Sequence, residues 1–344
     1  MSEKLRKFLN KLVRREDLTR DEASELLVAL LSEKSTDVQI AAALMALATK
    51  GETVDELAGM ASVMRSAALR ISSHHHTFVD TAGTGSSAAK TFNVSTGAIF
   101  VIAGAGLPVA KHGNRAASSR SGSADVLTAL GVNIEALPEV SAHCLNQVGI
   151  CFMFAPLYHG ATARVGAIRR QLGVHTVFNL LGPLSNPAGA PRQIVGVWRR
   201  ELVERLAKVL AALGTEHAWV VHGEDGLDEI TISGRTFVAE TRNGTVKTFT
   251  VQPEDFGLWR GTLQHLRGGD ATANATIIRE VFSGMRRDEA RALIVANSAA
   301  ALFVGGFAAD LRAAAKLAEK SIDDGAAQRK LEELVDTTNR RLGT

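Results

Sequence analysis

The first 72 residues carry the hydrophobic pattern of helices and lack the alternation that is typical of strands. Apolar side chains recur at helical spacing, as in the series Ala23, Leu26, Leu27 and Leu30. Three segments open with the residues of a capping box, a threonine followed three positions later by Glu or Gln: Thr19 and Glu22, Thr36 and Gln39, Thr53 and Glu56. The pattern predicts that residues 1–72 form helices only, one of which ends at Gly51.

From residue 73 onwards, apolar runs typical of strands alternate with helical patterns. A strand is predicted over residues 193–198, followed by a helix over 201–213 and a second strand over 218–221. A basic helix over 161–172 precedes residues 178–187, where two prolines and two asparagines predict a rigid turn. Alternation of this kind is typical of an α/β sheet with crossover helices.

Composition and charge exclude several classes of function. The chain has 344 residues, enough for two domains, and its formal net charge of +3 provides no global field that would recruit nucleic acid. Its two cysteines, Cys144 and Cys151, form neither a disulfide framework nor a metal set. No run of about 18 apolar residues could span a membrane, and the basic N-terminus lacks the apolar core of a signal peptide. We therefore expect a cytoplasmic protein that binds neither nucleic acid nor membrane.

Residues 111–119, KHGNRAASS, form a polar cluster directly after the apolar run 99–110. The cluster supplies two cations, a histidine, an amide and two hydroxyls around one glycine. Ligands of open α/β sheets bind where buried strands end. Lysine and arginine beside glycine and serine favour a bound anion, above all phosphate. A solvated loop with scattered charge is the alternative.

A glycine loop and a pair of carboxylates provide two further candidate sites. Residues 80–85 (DTAGTG) follow a strand-like run, and TFNVST at 91–96 leads into an apolar helix predicted over 97–105. This arrangement favours phosphate at a helix N-terminus, whereas a tight turn with a simple N-cap is the alternative. Asp228 and Glu229 lie at a predicted strand end, where adjacent carboxylates suit Mg²⁺ and a solvated acidic turn is the alternative.

Two arginines near the predicted rigid turn complete the set of candidates. Arg169 or Arg170 could bind a planar carboxylate through two parallel hydrogen bonds, with an exposed basic helix face as the alternative. The chain lacks a Ser-His-Asp order, a His-x-x-x-His pair and a Walker lysine loop. Together the four clusters favour a magnesium-bound diphosphate ester and a second substrate that carries a carboxylate, with catalysis by stabilisation of the leaving group.

The order of these motifs resembles the anthranilate phosphoribosyltransferases. GTG, TFNVST, KHGNRAASS and SGSAD are followed by RRQLGVHTVFNLLGPLSNPA, VVHGEDGLDEI and GGDATANA, so that the resemblance runs almost from end to end. It implies transfer of the phosphoribosyl group of phosphoribosyl diphosphate to the amine of anthranilate, with Mg²⁺ as cofactor, in a homodimer.

The resemblance also implies an architecture and a division into domains. The fold would be α/β, with a small all-helical domain and a larger domain built on a central, mostly parallel sheet flanked by helices. We assign residues 1–72, with about 161–187 packed against them, to the helical domain. Residues 73–160 and 188–344 are assigned to the α/β domain that binds phosphoribosyl diphosphate.

Individual residues receive roles from the same resemblance. The phosphoribosyl diphosphate site would comprise Gly83, Ser86, Ser87, Thr91, Asn93, Ser95, Thr96, Lys111, Asn114, Ser118, Ser119 and Ser123. Mg²⁺ would be held by Ser95, Asp228 and Glu229. Anthranilate would meet Gly83, Asn114, Arg169 and Pro183, and the catalytic residues would be Lys111, Arg169 and His112.

The chain departs from the family pattern in its first loop. Where the family reads GTGGD, Ser86 replaces a glycine and Ser87 replaces the acidic residue. Serine still donates to phosphate, and Lys90 adds a cation nearby. A second departure is Gly160, because the family often has proline after the histidine at this point.

Two rival functions are compatible with the same general fold. A pyrimidine nucleoside phosphorylase would not need Arg169 or the segment 178–187. A non-enzymatic relative that binds nucleic acid would be expected to lose Asp228 and Glu229 and to carry a strongly basic face. Both carboxylates are present and the net charge is low, so phosphoribosyl transfer is the preferred hypothesis.

Overall fold

The computed structural model describes residues 3–85, 87, 89, 91–116, 120–264 and 266–340. Its helices are α1 (Glu3–Val13), α2 (Arg20–Leu31), α3 (Asp37–Lys50), α4 (Val54–Ala67), α5 (Val94–Gly104), α6 (Ser123–Ala129), α7 (Pro138–His143), α8 (Ala155–Tyr158), α9 (Ala163–Leu172), α10 (Val177–Leu184), α11 (Glu201–Ala212), α12 (Ala271–Phe282), α13 (Glu289–Val304), α14 (Leu311–Asp323) and α15 (Ala326–Asn339). Its strands are β1 (Val79–Asp80), β2 (Val109–Gly113), β3 (Ile150–Phe154), β4 (Arg192–Gly196), β5 (His217–Gly223), β6 (Thr236–Arg242) and β7 (Thr245–Val251).

The N-terminal region is helical, and its three capping boxes form as the sequence predicts. In the box that opens α2, Thr19 Oγ1 accepts from the Glu22 amide at 3.2 Å while the Glu22 carboxylate accepts from the Thr19 amide at 3.2 Å. The boxes that open α3 and α4 have the same reciprocal bonds. A helix cap of this kind contributes roughly 0.5–2 kcal/mol. Gly51 is the C-cap of α3, with a positive φ of 86° that favours glycine.

The described strands form one sheet in the order β3-β2-β1-β4-β5-β6-β7. Strands β1 to β5 pair in parallel, whereas β6 and β7 are antiparallel additions at one edge. This confirms the prediction of a central, mostly parallel sheet flanked by helices. Strands β2 and β3 lie on one side of β1, whereas β4, which comes later in the chain, pairs with the other side of β1. Such a reversal of strand order opens a crevice at the carboxyl ends of β1 and β4, which is where open α/β folds bind ligands.

Two apolar clusters fill the interior. The larger one joins β1 to β3 with α5 and α13. The second contains Leu27 of α2 and Leu57 of α4 together with Val165 of α9 and Phe178 of α10, and it continues to α11 and the other face of β4 and β5. Helices α9 and α10 therefore pack with the N-terminal helices, although they lie more than 100 residues further along the chain.

The predicted rigid turn at 178–187 is wrong over most of its length, because residues Val177–Leu184 form helix α10. At its start, Asn179 Oδ1 accepts from the Thr176 amide at 3.0 Å, which is one half of a capping box. Pro183 lies one residue before the helix ends, so its missing N–H weakens only the last turn. The turn chemistry of the sequence applies to the residues after Leu184.

Among the described residues, no helix combines the length and the apolar character that crossing a bilayer requires.

Candidate active site

A cleft of about 1320 Å³ opens at the carboxyl ends of β1, β2 and β4. One wall belongs to the sheet and to α5, and the facing wall belongs to α9 and α10. The cleft brings together the glycine loop after β1, the end of β2, the acidic loop after β5 and Arg169. The four clusters that the sequence suggests therefore meet in one place.

Asp80, at the end of β1, organises the floor of this cleft. Its Oδ1 accepts from the amides of Ala82 at 3.1 Å and His112 at 3.2 Å, and its Oδ2 accepts from Asn186 Nδ2 at 2.7 Å. Burial raises the pKa of Asp80 to about 6, although the nearby Lys111 ammonium lowers it. Asp80 thus ties the glycine loop, the end of β2 and the turn after α10 to one carboxylate.

Lys111 extends from β2 into the same floor and is only 2% exposed. Its Nζ donates to the carbonyl and the hydroxyl of Thr81, both at 3.1 Å, and lies 3.5 Å from Ser95 Oγ. Burial lowers the pKa of Lys111, while Asp80 and Glu229 oppose that shift. The ammonium is therefore held in the cleft between two carboxylates.

Helix α5 points its N-terminus at this ammonium. The helix begins at Val94 rather than at the predicted residue 97, so Ser95 and Thr96 lie in its first turn. The Ser95 amide donates to Glu229 Oε1 at 3.2 Å, whereas Thr96 Oγ1 is buried with no hydrogen-bond partner among the described residues. The positive end of the helix dipole and the unpaired Thr96 hydroxyl at this position favour a bound anion.

Asn93, which precedes α5, is held from two sides. Its Nδ2 donates to the Ser121 carbonyl at 3.4 Å, and its Oδ1 accepts from Asn274 Nδ2 at 2.9 Å. Asn274 is itself buried and accepts from the Gly269 amide at 2.8 Å. The start of α5 is thereby connected to the glycine turn before α12.

Asp228 and Glu229 lie in the loop after β5, and the Asp228 carbonyl lies against Gly196 at the end of β4. Burial, and then the neighbouring Asp228, raises the pKa of Glu229 to about 8, while Lys111 lowers it. Two adjacent carboxylates in such a place remain ionised most readily beside a further cation. Their oxygens, with Ser95 Oγ, are the hard donors that Mg²⁺ prefers. The described residues contain no group of three or more His, Cys, Asp or Glu side chains arranged around a metal, so remaining ligands would come from water or a bound phosphate.

Two glycines allow the close approach of these loops. A Cβ on Gly196, the last residue of β4, would lie 1.7 Å from the Asp228 carbonyl oxygen. A Cβ on Gly83 would lie 2.9 Å from the Gly196 carbonyl oxygen, which also accepts from the Thr84 amide at 2.8 Å. The glycine loop, β4 and the acidic loop are stacked too closely for any side chain at these two positions.

His112 and His159 form a buried pair on the other side of the cleft, with ring centroids 5.0 Å apart. His112 Nδ1 lies 3.2 Å from the Gly182 carbonyl, an acceptor, so this nitrogen carries the proton and Nε2 presents a lone pair. Burial, and then His159, lowers the pKa of His112 to about 3. The Nε2 atoms of both rings are buried with no partner among the described residues. His112, which lines the cleft, is therefore neutral and has an unpaired acceptor nitrogen.

Arg169, on α9, lies half-buried in the facing wall. Its Nη2 donates to Asn179 Oδ1 at 3.1 Å, and its guanidinium lies 5.5 Å from the centre of the Phe178 ring. Burial lowers the pKa of Arg169, and its buried Nε has no partner in the described part of the chain. Arg170 is exposed at the rim. A cation beside an aromatic ring, with its Nε–H unpaired, suits an aromatic carboxylate.

The other predicted site residues differ in how they face the cleft. Pro183 and Asn114 both line it, Pro183 buried and Asn114 exposed. The Ser123 hydroxyl lies 3.4 Å from the Asn114 carbonyl, and the Thr91 hydroxyl donates to the Phe92 carbonyl at 3.1 Å. Three predicted phosphate-binding residues, Ser86, Ser118 and Ser119, lie outside the described residues, as does Lys90.

Ser87, which replaces the acidic residue of the family pattern, is buried. Its hydroxyl contacts the carbonyls of Ala89 at 2.6 Å and Gly226 at 2.9 Å. The Gly226 carbonyl belongs to the acidic loop that carries Asp228 and Glu229. Ser87 thus joins the glycine loop to the acidic loop through a hydrogen bond, where a carboxylate could not donate.

Sequence reasoning assigns no role to several residues that build the site. Asp80, Asn186 and Asn297 are all buried. Asp80 and Asn297 accept from backbone amides of the loops at the cleft, and Asn186 donates to the Asp80 carboxylate. The only sequence signal for Asn297 is a polar residue inside the apolar run 293–304. Such a residue needs a buried partner, but its partner is 67 positions away along the chain.

Comparison with known proteins shows which family this chain resembles. The family model described as "Glycosyl transferase family, helical bundle domain" matches residues 6–68, and that described as "Glycosyl transferase family, a/b domain" matches residues 75–328. The anthranilate phosphoribosyltransferase of Afipia carboxidovorans is 52% identical over 95% of this chain and 97% of its own length. That of Azorhizobium caulinodans is 51% identical over 98% of this chain and 97% of its own.

The chain belongs to the anthranilate phosphoribosyltransferase family. Among solved anthranilate phosphoribosyltransferases, the Thermus thermophilus enzyme has a TM-score of 0.91 and 38% identity, covering 97% of this chain and 99% of that one. The Saccharomyces cerevisiae enzyme in complex with PRPP and Mg has a TM-score of 0.90 and 28% identity, covering 98% of each chain. The same yeast enzyme in complex with 4-fluoroanthranilate has a TM-score of 0.84 and 26% identity, covering 97% of each.

Proposed function

We propose that this chain transfers the phosphoribosyl group of 5-phosphoribosyl 1-diphosphate to the amine of anthranilate. The products are N-(5-phosphoribosyl)anthranilate and diphosphate, and the reaction is the second step of tryptophan synthesis from chorismate. The observation that carries the proposal is the composition of the cleft: an anion site at the start of α5 beside Lys111 faces Arg169 and neutral His112. Its near full-length identity with curated anthranilate phosphoribosyltransferases supports the same reaction.

The diphosphate would lie at the N-terminus of α5, where Lys111 and the positive end of the helix dipole stabilise the charge that builds on the leaving group. The remaining predicted binding residues, Gly83, Ser87, Thr91, Asn93, Thr96, Asn114 and Ser123, surround the same end of the cleft or support its loops. Mg²⁺, when held by Ser95, Asp228 and Glu229, would add positive charge on the diphosphate side. The fixed positions of these groups supply the stabilisation without reorganisation during the reaction.

The acceptor would lie on the side of α9 and α10. Arg169 binds the carboxylate of anthranilate, and Phe178, Pro183 and Gly83 confine the ring. The bond between C1 and the diphosphate oxygen breaks as the bond from nitrogen to C1 forms, and the nitrogen then releases a proton to solvent. The amine of anthranilate is already neutral at pH 7, so His112 serves as a hydrogen-bond acceptor that orients the amine rather than as a strong base. Orientation of this kind accounts for a large part of the rate.

The division into domains and the assembly belong to the same proposal. The apolar cluster that α1 to α4 share with α9 and α10 supports one helical domain built from residues 1–72 and 161–187. A homodimer through the N-terminal helices is part of the proposal on the family resemblance alone. The free thiols of Cys144 and Cys151, both buried, support a cytoplasmic location.

The decisive experiment measures the loss of anthranilate fluorescence with phosphoribosyl diphosphate, with and without Mg²⁺. We expect turnover that needs both the second substrate and the cation, and phosphorolysis of uridine and thymidine should be absent. Phosphorolysis of either nucleoside without anthranilate turnover would overturn the proposal in favour of a nucleoside phosphorylase. Salt-dependent binding of DNA by an otherwise inactive protein would overturn it in favour of nucleic-acid binding.

A further inference from the structure

Asn297 lies near the middle of α13 and is 4% exposed. Its Oδ1 accepts from the Ile230 amide at 2.9 Å, and its Nδ2 donates to the Ile230 carbonyl at 2.9 Å. The same Nδ2 also donates to the Leu293 carbonyl, one turn earlier in the helix, at 2.9 Å. A flipped amide would place nitrogen against N–H and oxygen against C=O, so the bonds fix the orientation of the side chain.

Ile230 follows Glu229 directly, so this amide pair fixes the backbone beside the candidate metal carboxylates. The acidic loop is also held at Asp228, whose carbonyl rests on Gly196, and at Gly226, whose carbonyl accepts from Ser87. Of these three contacts, only the one from Asn297 consists of two hydrogen bonds to the same residue, one to its N–H and one to its C=O. It therefore fixes both the position and the rotation of the peptide at Ile230.

Helix α13 also packs against α5, which carries Ser95. A Cβ on Gly97 would lie 3.0 Å from Ile294 Cδ1, and the Ser298 hydroxyl is 3.5 Å from the Ala98 carbonyl. These contacts bring the backbones of the two helices close together within one turn of Ser95. One buried helix thus sets the distance between the two elements that carry the candidate metal ligands, α5 on one side and the acidic loop on the other.

The cost of a buried amide indicates that packing alone does not explain Asn297. Burying an amide without partners destabilises a protein, and an apolar side chain would fill the same space in this apolar helix. The hydrogen bonds offset that cost only because they pair with the backbone of the acidic loop. What the amide adds over an apolar residue is the directional link to that loop.

We propose that Asn297 is a positioning residue for the metal-binding carboxylates, acting through the backbone of Ile230. The inference rests on the proposed function, because it concerns the Mg²⁺ that would accompany phosphoribosyl diphosphate. Residues that orient the ligands of a metal typically change metal affinity 10–100-fold when they are replaced. Loss of the Asn297 amide should therefore weaken cation binding without changing the acceptor side of the cleft.

The test compares Asn297→Leu and Asn297→Ser with the wild type. Binding of phosphoribosyl diphosphate is measured by calorimetry without anthranilate, at a series of Mg²⁺ concentrations, so that turnover plays no part. We expect the Mg²⁺ concentration for half-maximal binding to rise at least about tenfold in both variants. The KM for anthranilate at saturating Mg²⁺ should stay within about twofold of the wild-type value. A general loss of structure would not raise the Mg²⁺ requirement while leaving this KM unchanged. Hydrogen exchange at the Ile230 amide, measured without ligand, should become faster in both variants.

Val295→Ala is the matched control, because Val295 is an equally buried residue of the same helix with no polar atom to offer Ile230. It should lower the melting temperature and leave the Mg²⁺ requirement unchanged. An unchanged Mg²⁺ requirement in a folded Asn297 variant would overturn the proposal, and so would an equal rise in Val295→Ala. If the wild type bound no phosphoribosyl diphosphate, the proposed function would fail. The exchange rate of Ile230 would then decide the link separately, since equal rates in wild type and Asn297→Ser would refute it.

Discussion

Replacing Gly196 with alanine tests the most demanding contact in the candidate active site. The new Cβ would lie 1.7 Å from the Asp228 carbonyl oxygen, and real Cβ contacts are essentially never closer than 3.0 Å. The obstacle is backbone, so no rotation of a side chain relieves it. Either the end of β4 or the acidic loop must therefore move by about 1.3 Å or more, and the loop is the element without a strand ladder to hold it.

This displacement is large enough to change catalysis. A misplacement of about 1 Å at a reacting centre can reduce the rate about 100-fold, which corresponds to about 2.7 kcal/mol of lost transition-state stabilisation. We expect Gly196→Ala to reduce kcat/KM for phosphoribosyl diphosphate by about 100-fold at fixed Mg²⁺. Overpacking should also destabilise the fold by roughly 1–3 kcal/mol, which leaves a chain of this size folded. The assay is the initial rate of anthranilate fluorescence loss, with circular dichroism to establish folding.

Two other glycines provide a graded series and a control. Gly83→Ala should have a smaller effect, because its Cβ would lie 2.9 Å from the Gly196 carbonyl oxygen. Gly160→Ala should leave activity unchanged, because its Cβ would meet no atom within 4 Å and its φ is not positive. A folded Gly196→Ala enzyme with kcat/KM within about threefold of wild type would refute the reasoning. An effect of the same size in Gly160→Ala would refute it as well.

Three further substitutions test other parts of the site. Arg169→Lys should raise the KM for anthranilate about 10–100-fold, since a charged hydrogen bond contributes about 1.5–3 kcal/mol. An unchanged KM in steady-state kinetics would contradict the proposal that Arg169 binds the carboxylate. Asp228→Asn combined with Glu229→Gln should abolish Mg²⁺-dependent turnover, so a normal Mg²⁺ titration would exclude both as ligands. Asp80→Asn should lower the free energy of unfolding, measured in urea, by about 1–3 kcal/mol, because an amide nitrogen would then face the donor Asn186 Nδ2. Equal stability of variant and wild type would disprove the stabilising role of the Asp80 hydrogen bonds.

Local sequence signals predict the elements whose stabilising contacts are themselves local. The capping box of Thr19 and Glu22 joins residues three positions apart, so the sequence alone contains the whole interaction. Strands β4 and β5 are expected at 193–198 and 218–221 and form at Arg192–Gly196 and His217–Gly223. Short apolar runs of β-branched residues define a buried strand, but the ladder with its neighbours decides its ends.

The predictions that fail depend on contacts between distant segments. Prolines and asparagines in 178–187 indicate a turn, yet the apolar side chains of Phe178 and its neighbours pack against the N-terminal helices and stabilise α10. Helix α5 begins three residues earlier than expected, and the Ser95 amide in its first turn donates to Glu229, which is 134 positions away. Local propensity does not report such partners, and a single sequence contains no signal that pairs them.

The buried polar groups of the cleft fall into two kinds, and the difference bears on how binding is driven. Asp80 and Asn297 have their polar atoms bonded to the protein and hold the loops in place. By contrast, His112 Nε2, Arg169 Nε and Thr96 Oγ1 are buried with no partner among the described residues. Each unpaired atom of this kind costs roughly 1–3 kcal/mol, a cost that a ligand removes when it pairs with the atom. Because the first kind already fixes the described parts of these loops, little of that gain is lost to ordering them, and it remains available to orient the two substrates.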